Sequence, residues 1–115
     1  MKKILGTLAL LGLLSTSAIA ANVNLAWNYT QGPVAATRFV MYRSTACSAP
    51  WTTLSSTIPV TTFTFTDTTA VEGSTYCYDV TAFSAANVES ADSNLLTYTV
   101  PSTKPNPPTS LRVTP

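Results

Sequence analysis

The sequence predicts an all-β protein, an antiparallel sandwich or barrel. Three observations carry this. First, Tyr76, Tyr78, Val80 and Ala82 alternate with Cys77, Asp79 and Thr81. Successive side chains of a strand point to opposite faces, so the run reads as a half-buried strand at the centre of a sheet. Second, two more alternating runs flank it, Phe63–Phe65–Asp67 before a turn at Glu72-Gly73-Ser74, and Leu96–Tyr98–Val100 after a polar loop. Short strands at this spacing belong to sandwiches and barrels. Third, Thr, Ser and β-branched residues are abundant and only 10% of residues are charged, which favours strands over helices.

The elements follow in order. Residues 1–20 (MKKILGTLALLGLLSTSAIA) have two lysines, an apolar run from Ile4 to Leu14, and small residues ending Ala18-Ile19-Ala20. That layout predicts a secretory signal peptide cleaved between Ala20 and Ala21. A membrane anchor is the competing reading, but the apolar run is well short of the roughly 20 residues a span needs. There is no cysteine near the cleavage site for a lipid anchor and no twin arginine. Cleavage leaves 115 − 20 = 95 residues, enough for one domain. A secreted protein, extracellular or periplasmic and without a membrane span after cleavage, is the expectation.

Val23, Leu25 and Trp27 alternate with polar or small residues and predict a strand beginning by Val23. Trp27 is assigned to the core rather than to sugar stacking, because its alternating neighbours are apolar. Asn28-Tyr29-Thr30 has the form of a glycosylation sequon and is read as chance. Gln31-Gly32-Pro33 is a turn. Phe39 and Met41 are the inward positions of the next strand. Ser44 to Pro50 is a loop carrying Cys47. A short strand starts at Trp51, and Pro59 marks an edge or an end. Trp51 either packs over the sheet edge or is an exposed contact residue. Asp67-Thr68-Thr69 is read as a polar turn after the strand containing Phe65. In the loop Ala85–Asn94, Glu89 and Asp92 are read as solvated turn residues, since a calcium site needs more oxygen ligands. The segment 101–115 has five prolines in 15 residues, the composition of a stiff, extended linker.

The run TFTD…GSTYCYDVTAFSAANVESADSN…V resembles the second half of a fibronectin type III domain, of the kind common in bacterial secreted proteins, and Phe39–Ser44 is similar to that family's third strand. The resemblance covers about residues 23 to 101. It implies an immunoglobulin-like antiparallel β-sandwich with Trp27, Phe39, Met41, Phe65, Tyr76, Tyr78 and Val80 in the core. Tyr76 falls at the tyrosine-corner position, where a phenol bonds to nearby backbone. The family's arrangement places Cys47 and Cys77 at one pole of neighbouring strands, which implies a Cys47–Cys77 disulfide in an exported protein.

The chain also departs from the family. A full domain opens with a strand before the one containing Trp27, and no residues are left for it after cleavage. A similar opening, Pro107-Pro108-Thr109-Ser110-Leu111-Arg112-Val113-Thr114, stands at the back instead. Three explanations are open: a fragment of a tandem array, a tail that folds back on its own domain, or a tail that donates Leu111 and Val113 to a neighbouring molecule. Eight linking residues span at most about 29 Å, which disfavours fold-back.

Composition bounds the function. There is no histidine, so no Ser-His or Cys-His pair exists. Two cysteines alone do not make a zinc site, and no glycine-rich phosphate loop is present. No catalytic, metal or cofactor residues are assigned, and no cofactor is expected. Without Lys2 and Lys3 the charge is four basic against five acidic residues, −1, which offers no surface for nucleic acid. The expectation is a non-enzymatic structural or adhesion-type module. Its partner is either protein, including a second copy head to tail, or polysaccharide; exposure of Trp51, Tyr42 and Tyr29 on one face would favour the latter.

Overall fold

A computed structural model of the chain describes residues 18–115. The signal-peptide expectation lies outside the described residues over positions 1–17. Six strands follow: β1 (Ala20–Ala26), β2 (Ala36–Ser44), β3 (Thr52–Pro59), β4 (Thr64–Val71), β5 (Thr75–Ser84) and β6 (Leu96–Thr99). They form two antiparallel sheets, β1-β4 and β3-β2-β5-β6. There is no helix among the described residues. The two sheets enclose a core of Val23, Leu25, Phe39, Met41, Ile58, Tyr76, Tyr78 and Val100, with Trp27, Tyr29, Phe65 and Val80 half-buried against it.

Three local details refine the reading. The first strand already runs from Ala20, ahead of Val23, because Ala20 and Ala21 pair with Val71 and Ala70. The Asp67–Thr69 segment is not a turn. It is a bulge inside β4: Ala21 and Val23, two apart, face Ala70 and Asp67, three apart. The extra residue is held by the Thr69 N–H and hydroxyl, which both donate to Asp67 Oδ1 at 2.9 and 2.8 Å. A polar Asp-Thr-Thr run serves a bulge as well as a turn, since both need a side chain to satisfy backbone freed from the ladder. Third, β5 is buried on both faces rather than one. Its second face carries a smaller cluster of Val40, Tyr42, Trp51, Cys77 and Phe83.

That second face is closed by the β5–β6 connection. Asn87, at φ 63°, turns the chain back, and residues 88–93 run alongside β5. Ser90 and Ser93 do the pairing there. Each donates its N–H to a β5 carbonyl (Ala82, Val80) and accepts the same residue's N–H on its hydroxyl. Glu89 is therefore not a solvated turn residue. It is half-buried and accepts hydrogen bonds from Tyr42 Oη at 2.7 Å and Thr81 Oγ1 at 2.8 Å.

The tail leaves at the opposite pole. Val100 exchanges backbone hydrogen bonds with Gly73 and Ser74. Thr103 then donates its N–H and hydroxyl to Glu72 Oε1 at 2.9 and 2.8 Å. Beyond this the tail lies free of the sandwich, with Leu111 and Val113 at 99% and 96% exposure.

Candidate strand-binding groove

The core is open along one side. Among the described residues, β1 pairs with β4 and with no strand on its other edge. β4 reaches across the sandwich to β2 through Arg43 and Asp67, so the free edge of β1 lies over β5 and β6. Leu96 and Tyr98 pair with Tyr78 and Tyr76, both core residues. Cross-strand partners share a face, so Leu96 and Tyr98 present to the core side, yet they stay 43% and 40% exposed. Between the two strands runs a groove. Its narrow part, about 70 Å3, is lined by Leu25, Trp27, Tyr78 and Leu96. It shares Ala26, Trp27, Val80, Ser93 and Asn94 with a wider cleft of about 530 Å3 that adds Tyr29, Phe39 and the 90–92 segment. The aromatic wall is ordered by edge-to-face contacts, Trp27 on Phe39 at 5.4 Å and Tyr29 on Phe39 at 5.0 Å. The Trp27 Nε1 is buried with no hydrogen-bond partner.

The far end of the core is closed by a polar clamp between the sheets. Arg43 Nη1 meets Asp67 Oδ2 at 2.8 Å and Thr69 Oγ1 at 3.0 Å. The Tyr78 phenol donates to the same Asp67 oxygen at 2.8 Å, and the Arg43 guanidinium lies 4.5 Å from the centre of the Tyr76 ring. Burial pushes the Asp67 carboxyl upward, but hydrogen bonds from Thr69, Tyr78 and Arg43 together outweigh it and hold it below its ordinary value. Burial and the neighbouring Asp67 push the Tyr78 phenol up. Burial and Glu89 do the same to Tyr42. Both phenols stay neutral donors. The Val71 N–H donates to Tyr76 Oη at 3.1 Å, a phenol-to-backbone link across the β4–β5 turn.

Cys47 and Cys77 form a disulfide, with Cα atoms 5.1 Å apart. It ties the β2–β3 loop to β5, beside the Ser44–Cys77 pair of the ladder.

The geometry agrees with a solved structure. A crystal structure of an Fn3-like protein from Clostridium thermocellum matches this chain with a TM-score of 0.58 and 31% sequence identity, covering 72% of this chain and 80% of that one. The chain belongs to the fibronectin type III-like family. No family model and no curated protein matches it.

Within this fibronectin type III-like sandwich, the residues singled out from sequence fall in three places. Phe39, Met41, Tyr76 and Tyr78 are buried between the sheets; Trp27, Phe65 and Val80 are half-buried at its margin. Cys47 and Cys77 are joined at one pole. Ala20 and Ala21 sit in β1, while Leu111 and Val113 stand clear of any groove. Tyr42 and Trp51 are buried on the second face of the larger sheet, and Tyr29 lies half-buried on the first. The three aromatics do not share an exposed face.

Sequence reasoning missed Arg43 and Asp67 as partners. The signal was present. Arg43 continues the inward period of Phe39 and Met41, and Asp67 that of Phe65, so both charges were due inside the sandwich. No helix among the described residues is long and apolar enough to cross a membrane. With the disulfide, that is compatible with an extracellular protein.

Proposed function

We propose that this protein is an exported, non-enzymatic structural module that assembles head to tail. The tail of one molecule adds a strand to β1 of the next. The observation that carries this is the uncovered core face of β6 beside the unpaired edge of β1. An unpaired edge is a template for another chain, and an extended segment with apolar side chains at alternate positions is what such an edge accepts. The tail supplies that pattern in Leu111 and Val113. Charge supports the match. Residues 21–100 carry two basic and five acidic side chains, −3, while residues 101–115 carry Lys104 and Arg112 and no acid, +2. Groove and tail lie on different parts of the surface, so the contact is heterologous and extends into filaments rather than closing as a dimer. Export requires removal of residues 1–20, which takes one residue, Ala20, from β1 and leaves the paired stretch from Ala21 onward.

The test compares exported protein with a variant lacking residues 102–115 and with full-length Leu111→Ser/Val113→Ser. Wild type should gain mass with concentration in light scattering and show filaments in electron microscopy, and both variants should remain monomeric. A wild type that is monomeric at millimolar concentration, or variants that polymerise equally well, overturn the proposal.

A further inference from the structure

We infer that the wide end of the groove is a proline socket. Pro107 and Pro108 of an incoming tail seat between Trp27 and Tyr29, and the donated strand runs antiparallel to β1. The inference rests on the head-to-tail reading and names how the tail is recognised.

Direction comes from where the chain enters and leaves. The tail departs beside Glu72 and Gly73. β1 starts at that same pole, with Ala20 opposite Val71 and the Ile19 carbonyl accepting the Glu72 N–H at 2.9 Å. It ends at the other pole, where the cleft is wide. A tail passing to the next molecule therefore meets the wide end first and travels against β1.

Register follows from the apolar spacing. Val23 and Leu25 are the two buried positions of β1. Setting Leu111 opposite Leu25 and Val113 opposite Val23 turns both toward the exposed Leu96 and Tyr98. The same register sets Pro108 opposite Asn28 and Pro107 opposite Tyr29, beyond the end of β1 at Ala26. Proline has no N–H to give a ladder, and none is asked of it there.

The socket has the chemistry for this occupant. A proline-rich segment is stiff before it binds, loses little entropy, and keeps its carbonyls free. Aromatic-lined grooves recognise such segments. The cleft offers the Trp27, Tyr29 and Phe39 rings. In the unbound tail Ser110 lies at φ 57°. That residue, between the prolines and the Leu111–Val113 pair, is outside the strand region of backbone space and has to become extended when the strand is seated.

The probe is a synthetic peptide of residues 102–115, titrated into 15N-labelled full-length protein carrying Leu111→Ser/Val113→Ser, which keeps its groove but has no competent tail. The indole signal of Trp27 should shift, while that of Trp51, buried on the other face of the larger sheet, stays still. A Pro107→Ser/Pro108→Ser peptide should bind about tenfold more weakly, equivalent to roughly 1.4 kcal/mol. Binding that depends on Leu111 and Val113 but leaves the Trp27 indole unmoved and is indifferent to the prolines overturns the socket and leaves head-to-tail assembly standing. Absence of binding by any peptide overturns both.

Discussion

Asp67 is the residue on which the two sheets depend most for their polar contact. It is 2% exposed and holds four hydrogen bonds, from Arg43, Tyr78 and twice from Thr69. Breaking a buried pair by removing one partner leaves the other charge uncompensated. Asp67→Asn should cost about 2–3 kcal/mol in urea unfolding, less than a fully dry pair because Arg43 keeps 17% of its side chain exposed. The pH dependence has a definite sign. The folded carboxyl lies below its unfolded value of about 3.9, so its contribution is complete above pH 4 or so. It is lost as pH falls through the lower folded value. Wild type should therefore lose stability faster than Asp67→Asn on going below about pH 4, and the two melting curves should converge in strong acid. Parallel curves throughout would deny Asp67 this role.

At the scale of the element, β5 is tied on both faces and along both edges. One face packs into the core through Tyr76 and Tyr78; the other packs Cys77 and Phe83 into the second cluster. Its ladders run to β2 and β6, and past β6 the serine-bearing loop takes over. The disulfide anchors the start of this strand. With a sequence separation of 30, the closed loop of about 31 residues stabilises by roughly 3–4 kcal/mol in the chain-entropy model. Cys47→Ala/Cys77→Ala should lower the denaturation midpoint accordingly. The m-value should rise, because the unfolded chain expands when the loop opens. An unchanged midpoint would mean that the unfolded loop is already closed by residual structure.

At the scale of the whole molecule, charge is divided between a −3 sandwich and a +2 tail. Screening length falls from about 10 Å at 0.1 M salt to about 3 Å at 1 M. Assembly should accordingly need severalfold more protein at about 0.5 M than at about 0.05 M salt. Lys104→Gln/Arg112→Gln, which removes the tail's charge, should abolish that salt dependence while keeping Leu111 and Val113. The readout is the concentration at half-maximal scattering. A wild type indifferent to salt would assign the contact to apolar burial alone.

The period of two along Phe39–Met41, Tyr76–Ala82 and Leu96–Val100 was enough to determine an antiparallel β fold, because alternation is a local property of an extended backbone. The match of those runs to a fibronectin type III pattern carried the family. The pairing of Cys47 with Cys77 was implied by that family's arrangement, and the two are bonded in the structure. Other features are not local. The second face of β5 is buried because Tyr42, Trp51 and Phe83 cluster there and the edge-paired segment 88–93 sends Glu89 onto Tyr42 and Thr81, and nothing in the alternation of Cys77, Asp79 and Thr81 announces a cover. Glu89 is polar in a polar loop, and only the burial of Tyr42 and Thr81 beneath it makes it a structural acceptor. The Asp67–Thr69 run has the same composition in a turn and in a bulge, and the register between Ala21–Val23 and Asp67–Ala70 decides between them. The groove, too, belongs to tertiary structure. Leu96 and Tyr98 read as core positions by period, and whether a core position is covered depends on which strand lies opposite, a matter settled only when the two sheets are laid together.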